Sequence, residues 1–419
     1  MENQIDIQDM DHFEEIVRKI PKNDLHVHLD GSVRLETIIE LSKKEGIKLP
    51  SYTVEGMNEL VFKDQYANLG EYLKTFGYSS AVMQKPEHLE QIAYELAIDN
   101  QNEGVRYIEV RFAPQLHINR TMDMETVLSS VNAGLEKAEK EFNRRPEVKA
   151  DKEPPFRYGI IVCAMRDFGP WSVYFKNFLE SFSFSDRSDI CKLASLELAK
   201  GSVRIRDKVG LPIMAFDLAG AEAGNPAADH WEAFQYAHEA FMHKTVHAGE
   251  DYGPESIFQA ITDLHADRIG HGYFLFDTTK IKNPKIKDKE GYVSDITQYI
   301  ADRRITIEIC LTSNLQTNPS VKRIENHTFK KMLEQHLSTT FCTDNRTVSK
   351  TSVTKEIMLA LKHFELNKKT LRNCIIYGFK RSFFPGRYHQ KRKYVRQCLN
   401  YYDSVTRELP EIFVNKHFI

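Results

Sequence analysis

The run Thr245-Val-His-Ala-Gly-Glu250 sets an imidazole, His247, and a carboxylate, Glu250, at the end of a short apolar stretch. Four other apolar runs end on groups that can bind or assist a metal: His26 with His28, Asp217, His271 and Asp344. β-Rich runs recur near residues 23–29, 105–113, 157–164, 212–218, 243–248, 267–271, 305–310 and 337–343. Between them lie polar segments with helical spacing of apolar residues, such as 87–103 and 123–141. Strand–helix alternation predicts a parallel sheet. Eight such runs predict an α/β fold, a (β/α)8 TIM-type barrel with extra helices. In that fold the carboxyl ends of all strands open on one face, so groups far apart in sequence meet there.

The rest of the chain fits one barrel domain, over about residues 20–365, with a helical extension over about 366–419. That extension is basic around Lys391-Arg392-Lys393, read as a charged helix face. Hydrophobic residues make up 41% of the 419, ample for a buried core. The net charge of −2 gives no electrostatic footprint for nucleic acid. Six cysteines stand apart without a CxxC pair, which predicts buried thiols in a reducing compartment. The acidic N-terminus lacks an apolar core for a signal peptide, and no stretch reaches membrane-span length. A cytoplasmic enzyme is the expectation; the oligomeric state is not legible. Residues 143–157, with three prolines, and the Lys-rich 277–292 read as solvated surface loops.

Alternate residues of a strand share a face, so His26 and His28 point the same way, their Cα atoms about 6–7 Å apart. Two histidines of a core or a surface would show the same spacing. Asp344 follows the uncharged run Leu-Ser-Thr-Thr-Phe-Cys-Thr, where a carboxylate is costly unless it meets a cation or strong donors. Taken singly, Asp344 also fits a helix N-cap, and His247 a satisfied core imidazole. Together, His26, His28, His247 and Asp344 suit Zn2+ with one position left for water. A bound metal lowers the pKa of its water to about 7. His271, in Arg-Ile-Gly-His-Gly-Tyr, is placed to take that water's proton or to orient the resulting hydroxide. Glu250, three residues past His247, can donate a proton to a substrate, or serve as a carboxylate at a helix start. Gly220, in Asp217-Leu-Ala-Gly220, allows close backbone approach of a ligand, or makes a plain tight turn.

These residues carry a resemblance. His26-Val-His-Leu-Asp-Gly31, Asp217-Leu-Ala-Gly220, His247-Ala-Gly-Glu250, His271-Gly-Tyr273 and Thr343-Asp344 stand in the order of the adenosine deaminase family of the amidohydrolase superfamily. The resemblance covers roughly residues 20–380. It implies a zinc barrel with one ion per chain, held by His26, His28, His247 and Asp344. It implies a purine nucleoside substrate, with adenosine and 2′-deoxyadenosine converted to inosine and ammonia. By the same resemblance His271 and Asp344 steer hydroxide onto C6, Glu250 protonates N1, and Gly220 offers its N–H to N3. Asp30, beside the ligand His28, resembles the residue that holds a ribose hydroxyl; adenine-specific relatives carry Glu there. Leu69, Tyr72, Leu73 and Phe76 recur at helical spacing and resemble the family's hydrophobic gate over the purine. The animal enzymes follow the metal Asp with a second Asp at N7, where this chain has Asn345 and resembles a bacterial branch. An amide N–H can donate to an unprotonated N7 without an extra proton.

Three alternatives compete. One is a deaminase of another 6-aminopurine, adenine or a 5′-modified adenosine. A second is a two-metal amidohydrolase, which needs a lysine where this chain has Phe216-Asp217-Leu218. The third is a non-catalytic purine-binding or signalling protein on the same scaffold.

Overall fold

A computed structural model of the chain describes residues 10–407 and Leu409, apart from 319, 320 and 322. The eight expected strands form: β1 (Lys22–His28), β2 (Val105–Phe112), β3 (Arg157–Met165), β4 (Ile213–Ala219), β5 (His243–Ala248), β6 (Arg268–His271), β7 (Thr306–Ile309) and β8 (Thr339–Phe341). They pair in parallel in sequence order, with helices in the crossovers. The architecture is a TIM-type (β/α)8 barrel.

The seam between the first and last strands is short. A single parallel bridge joins Val27 to Asp344. Its hydrogen bonds run from the His28 N–H to the Asp344 carbonyl (2.7 Å) and from the Asp344 N–H to the His26 carbonyl (2.8 Å). Closing the ring therefore sets Asp344 between His26 and His28.

Strands covered by helices outside and packed inside read as continuous β-branched runs. β1, β2, β6, β7 and β8 are buried along their whole length. Inside the ring the chain departs from a plain apolar filling. Arg111 of β2 reaches Asp217 of β4 (3.0 Å) and Glu308 of β7 (2.9 Å) across the interior, and the Leu25 carbonyl of neighbouring β1. Arg268 of β6 pairs with Glu308 (2.7 Å) and with Glu109 of β2. Removing one partner of such a buried pair costs about 3–5 kcal/mol, because the other charge is left dry and unmatched.

The helices Lys368–Arg381 and Tyr388–Val405 occupy the basic C-terminal stretch. The first packs against β1, β7 and β8. Leu371, Cys374, Ile375 and Phe379 of this helix are buried, so it covers the barrel. Phe383 follows it, with the Arg268 guanidinium 3.6 Å above its ring. Lys391 is drawn to the Ser382 carbonyl at 2.6 Å, whereas Arg392 and Lys393 are exposed.

The two expected surface loops are more structured than their composition suggests. Residues 143–157 contain a short helix, Pro146–Lys149, and bury Val148, Glu153 and Phe156; Glu153 pairs with buried Arg106. Residues 277–292 are mostly exposed but are pinned at Ile281 and by the Glu255 carboxylate, which accepts the Lys282 and Asn283 N–H groups at 2.9 Å. The six cysteines are free and buried. Among the described residues no helix is long and apolar enough to cross a membrane.

Candidate metal centre and active site

Of the polar strand ends singled out in the sequence, those of β1, β5, β6 and β8 converge, whereas Asp217 of β4 stands behind His247, 3.1 Å from its Nδ1. His26 and His28 lie on β1, His247 on β5 and His271 at the end of β6; Asp344 lies just past β8. One ligand atom from each of His26, His28, His247 and Asp344 falls within 4.8 Å of all the others. The Nε2 atoms of His28 and His247 are 3.0 Å apart. Asp344 Oδ1 is 3.4 Å from the Nε2 atoms of both His26 and His28. A second cluster, Glu250, His271 and Asp344, shares that carboxylate, with His271 Nε2 3.8 Å from Glu250 Oε2.

Backbone strain places two of these groups. His271 has φ +65° and Asp344 φ +59°, the left-handed region, which costs a non-glycine residue on the order of 1–3 kcal/mol. Both sit where a strand ends and must turn, and both are held there by neighbours. Ser313 donates its hydroxyl to Asp344 Oδ2 at 2.6 Å. The Asn314 amide nitrogen lies 3.1 Å from His271 Nδ1. The loop carrying Glu250 is gathered by Glu222, whose carboxylate accepts the N–H groups of Gly249, Glu250, Asp251 and Tyr252 at 2.7–2.9 Å.

The donor set suits a metal on three observations. First, the buried Nε2 atom of His26 has no hydrogen-bond partner. Second, carboxylates stand behind two of the imidazoles: Glu308 is 2.8 Å from His26 Nδ1, and Asp217 is 3.1 Å from His247 Nδ1. Holding the proton on Nδ1 leaves Nε2 bare toward the centre, as in metal-ligating histidines generally. Third, the buried network behind the clustered side chains contains four carboxylates (Glu109, Asp217, Glu308, Asp344) but two guanidiniums (Arg111, Arg268). This surplus of buried carboxylates is negative charge that a cation would offset.

Local electrostatics sort the groups by protonation. Burial holds His28, His247 and His271 below the usual imidazole range, so their lone pairs stay available. Burial works against charge on His26 too, but the Asp344 and Glu308 carboxylates beside it pull its pKa above the usual value. Burial would also raise Asp217 and Glu308; the His247 ring hydrogen-bonded to Asp217 with the Arg111 guanidinium beside it, and Arg111 with Arg268 beside Glu308, hold both well below the carboxylate range. Glu250 goes the other way. Burial, reinforced by Asp344 and Glu222, pushes its carboxyl well above the usual carboxylate range. Burial likewise lifts Asp30 to about 7.

A cavity of about 780 Å3 lies over this cluster, lined by His28, Asp30, Gly220, Glu250, His271, Asp344 and Asn345. His26 sits beneath it, fully buried. Gly220 has φ +98°, a conformation that favours glycine and turns the chain at the cavity wall. Asp30 Oδ1 is buried with no partner. Leu69, Tyr72, Leu73 and Phe76 also line the cavity, but on two short helices, Leu69–Leu73 and Phe76–Val82, rather than one. Tyr72 is less apolar than a gate residue is expected to be. Its phenol oxygen takes the Asn345 amide N–H at 2.7 Å and lies 2.9 Å from Ser349 Oγ. The Asn345 carbonyl oxygen fills the space that a Cβ on Gly31 would need, 1.7 Å away.

The sequence reading placed the clustered residues but missed their supports: Arg111, Glu308, Glu222, Ser313, Asn314 and Arg166, the last donating to the His247 carbonyl at 2.7 Å. For two of them a signal was present. Arg111 and Glu308 are charges set inside β-branched runs, Ile-Glu-Val-Arg-Phe and Thr-Ile-Glu-Ile.

Comparison with known proteins agrees with the geometry. Residues 21–397 match the family model described as adenosine deaminase. The adenosine deaminase of Mycobacterium avium is 33% identical over 373 residues, 88% of this chain and 92% of the relative. That of Clostridium perfringens is 32% identical over 375 residues, 89% and 97% respectively. Among solved structures, the adenine deaminase of Arthrobacter aurescens superposes with a TM-score of 0.72 at 21% identity, covering 91% of this chain and 99% of the other. An amidohydrolase from Burkholderia ambifaria with bound zinc gives 0.73 at 18% identity, covering 94% and 93%. These two likenesses speak for the fold.

Proposed function

Since the chain belongs to the adenosine deaminase family, we propose that it hydrolyses the 6-amino group of adenosine and 2′-deoxyadenosine to give inosine or deoxyinosine and ammonia. One zinc ion per chain, held by His26, His28, His247 and Asp344, would serve the reaction. The observation that carries the proposal is the convergence of those four side chains at the floor of one cavity that Glu250 also lines, its carboxyl pushed by burial well above the usual carboxylate range.

When bound, a zinc ion makes a water acidic enough to lose a proton at about pH 7. The side chains supply the rest. Glu250 carries the proton that N1 of the purine needs, which makes C6 more electrophilic. His271 turns Nε2, buried and without a partner, toward the same centre as Glu250 and Asp344. Gly220 offers its N–H to N3, and Asn345 an amide N–H to N7. Asp30, with one unpartnered oxygen, takes a ribose hydroxyl. Overall, one water is consumed and ammonia leaves from C6. The groups around C6 are fixed before substrate arrives, and such preorganisation is where sites of this kind gain most rate.

A panel of 6-aminopurines tests the reading: adenosine, 2′-deoxyadenosine, adenine and a 5′-modified adenosine, followed by ammonia release and loss of the adenosine absorbance band. Fastest turnover on adenosine or its 2′-deoxy form is expected. Preference for adenine would overturn the role given to Asp30, and no turnover on any member would overturn the reaction.

A further inference from the structure

Three residues outside the ligand set form a chain of hydrogen bonds that ends on His271. The backbone N–H of Phe329 points at His327 Nδ1, 3.0 Å away. His327 Nε2 is 3.3 Å from Asn314 Oδ1. The Asn314 amide nitrogen is 3.1 Å from His271 Nδ1. His327 and Asn314 are buried, at 1% and 0% exposure, so solvent has little access to exchange these partners.

The direction of the chain is set at its first link. A backbone N–H can only donate, so His327 Nδ1 must accept. A neutral imidazole with a bare Nδ1 carries its proton on Nε2. His327 Nε2 therefore donates to Asn314, which must present its carbonyl oxygen to His327 and its NH2 to His271. His271 Nδ1 then has to accept, and the ring's single proton stands on Nε2. That nitrogen has no hydrogen-bond partner and belongs to the cluster with Glu250 and Asp344.

We infer that Asn314 and His327 are positioning residues that lock His271 as an Nε2–H donor. Of the two roles open to His271, this removes the first: a ring that already holds its proton on Nε2 has no lone pair there to take another from water. It serves as a fixed donor toward the oxygen that adds to C6. The catalytic half of this inference rests on the deaminase reading; the tautomer itself does not.

The test has two arms. In zinc-loaded wild-type protein without substrate, 15N spectra of imidazole-labelled histidine, assigned with a His271→Gln variant, should show His271 bare at Nδ1 and protonated at Nε2. The opposite tautomer would overturn the proposal whether or not the protein turns over adenosine. The second arm inverts the last link. In Asn314→Asp the carboxylate can only accept, so the His271 proton moves to Nδ1 and Nε2 loses its hydrogen. We expect zinc content to hold and KM for adenosine to stay within about threefold, while kcat falls by up to roughly 10⁴, the scale known for a catalytic histidine held in the wrong tautomer. His327→Phe, which keeps the ring contact with Tyr273 but frees the amide to flip, should cost about tenfold or less. A normal kcat in Asn314→Asp together with an inverted tautomer would overturn the donor role. Wild-type protein with the expected tautomer and no turnover would instead overturn the deaminase reading and leave the relay standing.

Discussion

Glu308→Gln probes the support beneath the cluster. Glu308 is fully buried and accepts four contacts: Arg111 (2.9 Å) and His26 (2.8 Å) on one oxygen, Arg268 (2.7 Å) and Thr245 (3.0 Å) on the other. Glutamine retains one oxygen. Its NH2 group then opposes donors on whichever side it takes, and two buried guanidiniums lose part of their neutralising charge. Breaking a buried pair costs about 3–5 kcal/mol. Spread over 419 residues at about 2.1 cal/mol/K of unfolding entropy each, that is a fall of roughly 5 °C in Tm. Glu308 also holds the proton on His26 Nδ1, and loss of such a backing carboxylate weakens metal binding by about 10- to 100-fold. Calorimetry of the zinc-loaded protein and competition with a chromophoric chelator read the two effects. Unchanged Tm with zinc affinity within twofold of wild type would refute the claim that Glu308 braces the site.

Other variants separate the roles. Glu250→Gln keeps zinc and substrate affinity but loses about 10²–10⁴ in kcat, the range for removing one general acid; near-normal turnover sinks that assignment. Asn345→Ala raises KM for adenosine about 3- to 10-fold, the value of one hydrogen bond, with zinc content unchanged by elemental analysis; metal loss would contradict its placement. Glu103 gives a pH signature away from the site. Burial pushes its carboxyl up, but Arg346 and Lys22 outweigh it and hold the pKa at about 2 against the usual 4.5. A folded pKa below the unfolded one contributes stability above the unfolded value and loses it as pH falls toward the folded one. The Tm gap between wild type and Glu103→Gln should therefore be full above about pH 5 and shrink toward pH 2. A gap that stays constant over that range would refute the pairing.

The barrel was legible because short strand-like runs alternate with helical patterns, and because the residues of the candidate site fall at the carboxyl ends of those runs. The clustered site residues were legible for the same reason: His26, His28, His247, His271 and Asp344 end apolar runs where no solvent explains them. Their supports were hidden by distance. Arg111 meets Glu308 across 197 residues, and Glu308 meets His26 across 282, so no local pattern pairs them. The Tyr72 phenol was masked by its helical spacing with Leu69, Leu73 and Phe76, which described an apolar face and said nothing of Asn345 beneath it. Arg392 and Lys393 are exposed on a helix, as the charged-face reading of the tail expects, but that reading did not reach the helix before it. Counting Lys391, Arg392 and Lys393 drew attention to charge, while Leu371, Cys374, Ile375 and Phe379 were the residues that seat the preceding helix on the barrel.

Zinc titration into chelator-stripped protein, with ammonia release from adenosine as the signal, measures the central claim most directly. Turnover should be absent from the stripped protein and rise linearly to a plateau at one ion per chain. Full turnover after stripping, or a plateau reached only at two ions, would contradict a single ion shared by His26, His28, His247 and Asp344.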